Sequence, residues 1–136
     1  MKLLSIAYWD GQFWRAAAPA VKAYIRGIGR SDGEAFLRLA AEIEKQFSEK
    51  DIPLRELQTG WIDRGQDKVF YYAMRRDKDK WWAMAPALIH TVCCSGEGNT
   101  AEEAMQDLER KVRADNSPQG KISIREIDVY RKESGG

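Results

Sequence analysis

Gly96-Glu97-Gly98-Asn99-Thr100-Ala101-Glu102-Glu103-Ala104 decides how this chain is read, because the chain writes it twice. Gly27-Ile28-Gly29-Arg30-Ser31-Asp32-Gly33-Glu34-Ala35 carries the same two glycines, hydroxyl, glutamate and alanine, 69 positions earlier. Upstream, Trp14-Arg15-Ala16-Ala17-Ala18-Pro19-Ala20 matches Trp81-Trp82-Ala83-Met84-Ala85-Pro86-Ala87 at an offset of 67. Downstream, Ile52-Pro53-Leu54-Arg55-Glu56-Leu57 matches Ile122-Ser123-Ile124-Arg125-Glu126-Ile127 at an offset of 70. The offset changes only between blocks, where surface turns absorb insertions that packed elements do not. Two copies are too few for a solenoid. The repeat predicts a tandem pair of small α+β units, fused as a pseudo-dimer.

Each unit reads β-β-β-α-β. In the second, Val69 to Met74 is rich in aromatic and branched residues, Arg75 to Lys80 is a polar turn, and Trp81 to Pro86 is the returning strand. Leu88 to Cys94 reads as a third strand, broken by Gly96-Glu97-Gly98. Thr100 with Glu103 forms a capping box, and Ala104, Leu108 and Val112 recur every four residues as a helix face. Ile122, Ile124 and Ile127 mark the closing strand. In the first unit, Leu3 to Trp9 and Phe13 to Ala18 flank an Asp10-Gly11 turn, and Val21 to Arg26 is the third strand. Ser31 and Glu34 cap a helix whose face is Ala35, Leu39, Ile43 and Phe47, and Leu54 and Leu57 lie in the closing strand. Both Gly-x-Gly segments are expected to be turns whose positive φ only glycine adopts cheaply. The predicted boundaries are 1–60 for the first unit, 61–68 for a linker, 69–131 for the second unit and 132–136 for a flexible tail.

With the order of elements in hand, the chain resembles the HicB-type antitoxin domain, whose usual pattern is P-D-L-P-G, then G-D-T, then an E-E-A helix start. Pro86-Ala87-Leu88-Ile89-His90 stands for the first, Gly98-Asn99-Thr100 for the second and Glu102-Glu103-Ala104 for the third. The first unit matches with Pro19-Ala20-Val21-Lys22-Ala23, Gly29-Arg30-Ser31 and Gly33-Glu34-Ala35. The resemblance implies a mixed sheet in each unit, its last strand parallel to its first through a right-handed crossover, with one helix on one face. It also implies a small protein partner, an RNA-cleaving toxin whose surface the antitoxin masks, and assembly into oligomers. A DNA-binding segment often follows the domain in that family. After Tyr130 only Arg-Lys-Glu-Ser-Gly-Gly remains, so operator binding is not expected.

Composition narrows the function classes. A 43% hydrophobic content with five Trp and five Tyr supports a compact fold and not disorder. The net charge of +1 divides as +1 over residues 1–66 and 0 over 67–136, so no general basic field holds nucleic acid. No stretch approaches the ~20 apolar residues of a membrane span, and the opening residues are too short for a signal peptide. Cys93 and Cys94 adjoin in sequence, which suits a reducing cytoplasm better than a disulfide framework. On one strand they point to opposite faces and do not chelate one metal. His90 is the lone histidine and reads as a structural or surface residue, not a catalytic one. Carboxylates such as Glu102 read as helix-dipole partners or solvated charges. No nucleophile, base and orienting group recur in a recognisable order, so the chain reads as non-enzymatic, with no cofactor and no metal.

Arg75-Arg76-Asp77-Lys78-Asp79-Lys80 followed by Trp81-Trp82 is the strongest candidate contact. Cations beside aromatic faces suit an acidic protein groove or single-stranded nucleic acid. Arg75, Arg76, Lys78, Lys80 and Trp82 are the expected partner-binding residues, with Trp9 from the first unit added. The expectation is a HicB-like inhibitor of a small protein. The alternatives are an oligonucleotide-binding module using the Arg75–Trp82 hairpin, and an orphan structural domain.

Overall fold

The computed structural model describes residues 1–88 and 95–131. Most of the expected Leu88–Cys94 strand, with His90, Cys93 and Cys94, lies outside the described residues, as does the expected tail at 132–136. The protein is α+β, with two four-stranded antiparallel sheets and two helices among the described residues. One compact unit is Met1–Leu54 with Ile122–Gly136, and the other is Arg55–Lys121.

In unit 1, β1 (Lys2–Trp9) turns at Asp10 into β2 (Trp14–Ala17), and β3 (Gly27–Gly29) pairs with β2. Gly11 takes a φ of 97° in the turn, and the Asp10 carboxylate accepts from the Gln12 and Phe13 amides. Helix α1 (Asp32–Gln46) follows at once, capped by Ser31 Oγ accepting from the Glu34 amide at 3.1 Å. Ala35, Leu39 and Ile43 are fully buried on its inner face. In unit 2, β5 (Lys68–Asp77) and β6 (Lys80–Met84) form the hairpin, β7 (Ser95–Gly98) pairs with β6, and α2 (Ala101–Ala114) follows. Thr100 Oγ1 accepts from the Glu103 amide, while Glu103 accepts from Asn99 at 2.8 Å, one residue earlier than a capping box places it. Ala104, Leu108 and Val112 are fully buried, and truncating Leu39 or Leu108 to Ala costs about 2–5 kcal/mol.

The Gly-x-Gly segments are strands, not turns. Among the described glycines only Gly11 and Gly65 have positive φ. A Cβ on Gly96 would lie 2.5 Å from the Ala104 carbonyl oxygen and the Leu108 amide, and one on Gly98 2.6 Å from the Ala104 amide. On Gly27 it would run into the Ala35 carbonyl and the Leu39 backbone. Glycine serves here to let each helix lie directly on its strand. The strand expected at Val21–Arg26 is displaced: β3 begins at Gly27, and Val21 lies in an isolated bridge to Leu54.

The closing strands also depart from expectation. β4 (Leu57–Asp63) pairs antiparallel with β5, and β8 (Ile122–Asp128) pairs antiparallel with β1, giving the orders β3-β2-β1-β8 and β4-β5-β6-β7. Neither sheet is mixed, and each repeat's closing strand completes the sheet of the other repeat. Lys68 faces Asp63 as Lys2 faces Asp128, and Met74 faces Leu57 as Tyr8 faces Ile122. The closing strands therefore correspond at an offset of 65, and the Ile52/Ile122 match is a coincidence of composition. The expected linker 61–68 is the end of β4, the Arg64–Asp67 turn and the start of β5.

Each exchanged strand is locked to the end of the helix it joins. Arg64, next after β4, donates to the Asp115 carbonyl at the α2 C-cap at 2.8 Å. Its side chain is only 3% exposed and forms a two-bond pair with Asp67 at 2.8 and 2.6 Å, which Gln119 joins. Tyr130, two residues beyond β8, donates its hydroxyl to the Phe47 carbonyl at the α1 C-cap at 2.7 Å. Both locks satisfy a carbonyl left without a helical partner.

Candidate functional site

The β5–β6 hairpin of unit 2 gathers most of the residues that the sequence singled out. Strand alternation sends Tyr71, Ala73 and Trp81 toward α2, and Phe70, Tyr72, Met74, Trp82 and Met84 to the opposite face. Met74, Trp82 and Glu97 lie opposite one another across three strands of that second face. Between Arg75 and Asp77 the register shifts, so Arg76 is the extra residue of a bulge. Bulges re-aim side chains, and this one puts the Arg76 guanidinium 4.2 Å from the centre of the Trp82 ring.

Trp82 is half-buried and held on two sides. Arg76 covers a face of the indole, and Nε1 donates to Glu97 Oε1 at 2.7 Å. Glu97 is itself placed by α2, because Asp107 accepts from its backbone amide at 3.0 Å. That amide is the largest cause of the Asp107 carboxyl lying below its ordinary range, with Lys111 and Arg110 adding to it. Arg76, Lys80, Trp81, Trp82, Glu97, Gly98 and Asn99 enclose an open pocket of about 230 Å³. Among the described residues Arg76 and Lys80 form no ion pair.

Arg75 has a different role. It faces α2's side of the sheet, lies 5.9 Å from the Trp81 ring, and is tied to Glu56 Oε1 and the Lys78 carbonyl, both at 3.2 Å. Lys78 contributes that carbonyl at the hairpin tip. Trp9 belongs to unit 1, where its ring meets Trp14 at 6.0 Å. The hairpin thus joins Arg76, Lys80 and Trp82 into one site, keeps Arg75 and Lys78 as its frame, and leaves Trp9 out.

Glu97, Gly98 and Asn99 are site residues that sequence reasoning missed. Reading Gly96-Glu97-Gly98 as a turn hid them. Two glycines two positions apart share one face of a strand, which sends Glu97 to the other face, beside Trp82. Compared with known proteins, the chain matches no family model, no curated protein and no solved structure. Among the described residues no three His, Cys, Asp or Glu side chains are placed to share a metal ion, and no helix is long and apolar enough to cross a membrane.

Proposed function

We propose that this chain is a non-catalytic, HicB-like cytoplasmic inhibitor that binds and masks a small protein, such as an RNA-cleaving toxin, through the β5–β6 hairpin of unit 2. The observation that carries the reading is the fixing of Trp82 by Arg76 and Glu97. A half-exposed indole held in one orientation loses little freedom on binding, which is what a protein-interface anchor needs. The repeated β-β-β-α order with a capped helix on a Gly-x-Gly strand supports the HicB-like part of the proposal. The antiparallel closing strands are a departure from that family's implied arrangement.

An oligonucleotide module is the second reading, favoured by the two cations without acidic partners. Two features count against it. Arg76 already occupies the indole face on which a base would stack, and Glu97 brings a carboxylate to the place where a phosphate would follow. The test is affinity purification of the tagged chain from native lysate, with and without nuclease and across salt concentrations. A protein recovered at equal stoichiometry, indifferent to nuclease and lost with Trp82→Ala, is the expected result. Recovery of nucleic acid that falls away steeply with salt would overturn it.

A further inference from the structure

We propose that the pocket beside Trp82 is a carboxylate clamp, which takes one Asp or Glu side chain of the protein partner between Arg76 and Lys80. The inference rests on the protein-binding reading of this hairpin and names the chemistry of the contact. With its central carbon 4.2 Å over the Trp82 ring, the Arg76 guanidinium can rest a flat face on the indole and keep N–H donors at its rim for a ligand. That rim is a planar fork, which matches the two oxygens of a carboxylate. Lys80 lies on the same face of β6 as Trp82, two residues before it, and supplies a second cation to the pocket.

The neighbouring guanidinium and two cations of the adjacent helix are committed elsewhere. Arg75 is paired with Glu56, and on the neighbouring helix Lys111 and Arg110 are paired with Asp107. Among the described residues, the pocket is where two cations of this hairpin outside any ion pair, Arg76 and Lys80, converge beside an aromatic ring. Its volume of about 230 Å³ suits a side chain and not a nucleotide. Glu97 supplies selectivity. It lines the same pocket, so a singly charged carboxylate meets one repulsion, whereas a phosphate of about −1.5 to −2 charges meets nearly twice that. Its hydrogen bond to the indole keeps the carboxylate turned to Trp82 and ties Trp82's N–H signal to the pocket's occupancy.

The experiment follows the Trp indole N–H signals of the full chain by ¹⁵N NMR, with Trp82 assigned through Trp82→Phe. The probes are acetylated, amidated tetraglutamate, the matching tetraglutamine and inorganic phosphate, at constant ionic strength. Tetraglutamate is expected to shift the Trp82 signal saturably, tetraglutamine to leave it in place, and Arg76→Gln with Lys80→Gln to weaken the response at least tenfold. Glu97→Gln is expected to raise the response to phosphate. No response to tetraglutamate, or an equal response to phosphate in the unaltered chain, overturns the clamp. The lysate experiment separates this failure from that of the parent reading. A nuclease-indifferent partner captured equally well by Arg76→Gln/Lys80→Gln would remove the clamp and leave protein binding standing.

Discussion

The β1–β2 hairpin of unit 1 and the β5–β6 hairpin of unit 2 occupy the same place in the same arrangement, yet among the described residues they differ in the charge they carry beside the turn. In unit 1 the three-strand row is Tyr8, Arg15 and Ile28, and Arg15 is paired with Asp10 in the turn. In unit 2 the row is Met74, Trp82 and Glu97, and a bulge brings Arg76 over the indole. One acidic residue in the turn closes the first hairpin on itself. In its place the second hairpin carries a bulge and cations, of which Arg76 and Lys80 form no ion pair among the described residues. The helices show the same exchange of sign at corresponding positions: Arg38 donates to the Ile28 carbonyl, while Asp107 accepts from the Glu97 amide. In each case a helix side chain also covers part of a sheet edge that would otherwise be open to pairing.

The largest test of this equivalence lies in the glycines. Gly27→Val and Gly96→Val should each destabilise the chain by about 3 kcal/mol or more, since the added atoms meet helix backbone that has no room to move. Gly33→Ala, whose added carbon would stand 3.8 Å from its nearest neighbour, should change little. Urea unfolding followed by circular dichroism checks all three. A large loss from only one of the two valines would show that the helices do not rest on their strands alike.

The two strand locks come next. Arg64→Ala removes charge-assisted bonds from a nearly buried guanidinium and should cost about 2 kcal/mol, and Tyr130→Phe removes one neutral bond and should cost about 1 kcal/mol. Equal losses would mean that the bond to the helix end matters more than the ion pair beside it.

Acid sharpens the comparison further. Arg64 first, then Gln119, holds the Asp67 carboxyl at about 2 against an ordinary 3.8. The Phe13 amide, followed by Arg15, holds Asp10 at about 2. Because both folded values are the lower ones, these contacts favour the folded chain above the ordinary carboxylate range. That contribution is lost as pH falls from about 4 through 2. Carboxyl ¹³C titrations should show the Asp67 value rising in Arg64→Ala and the Asp10 value rising less in Arg15→Ala, whose backbone bonds remain. Among the changes that remove an interaction, the smallest effect should come from Arg76→Ala, about 0.5–1 kcal/mol of stability at this exposed site by thermal melting.

How much of this was legible in the sequence depends on how local the cause was. Asp10-Gly11, the Ser31 and Thr100 caps, and the four-residue spacing of Leu39 with Ile43 and Leu108 with Val112 act within a turn or two of chain, and they read correctly. The closing strands did not, because Ile52–Leu57 and Ile122–Ile127 have similar composition while pairing is decided by distant edges. No local pattern in β4 says that it belongs to the hairpin after it and not to the one before. At the site, Arg76, Lys80 and Trp82 were visible as cations beside aromatics. The Arg76 bulge and the Glu97 partner were not, since each depends on cross-strand register.

One feature of the topology also sets a timetable. Arg55–Lys121 is a continuous stretch whose four strands and helix follow one another, so it can form as soon as it is made. The sheet of unit 1 has β1 at an edge until β8 arrives, more than 110 residues later. During synthesis the earlier-made unit is thus the later to finish, and the backbone of β1, rich in Leu3, Leu4 and Ile6, waits unpaired in the meantime. Slow translation or a stalled ribosome would lengthen that wait, and with it the time for which this strand edge is open to wrong pairing.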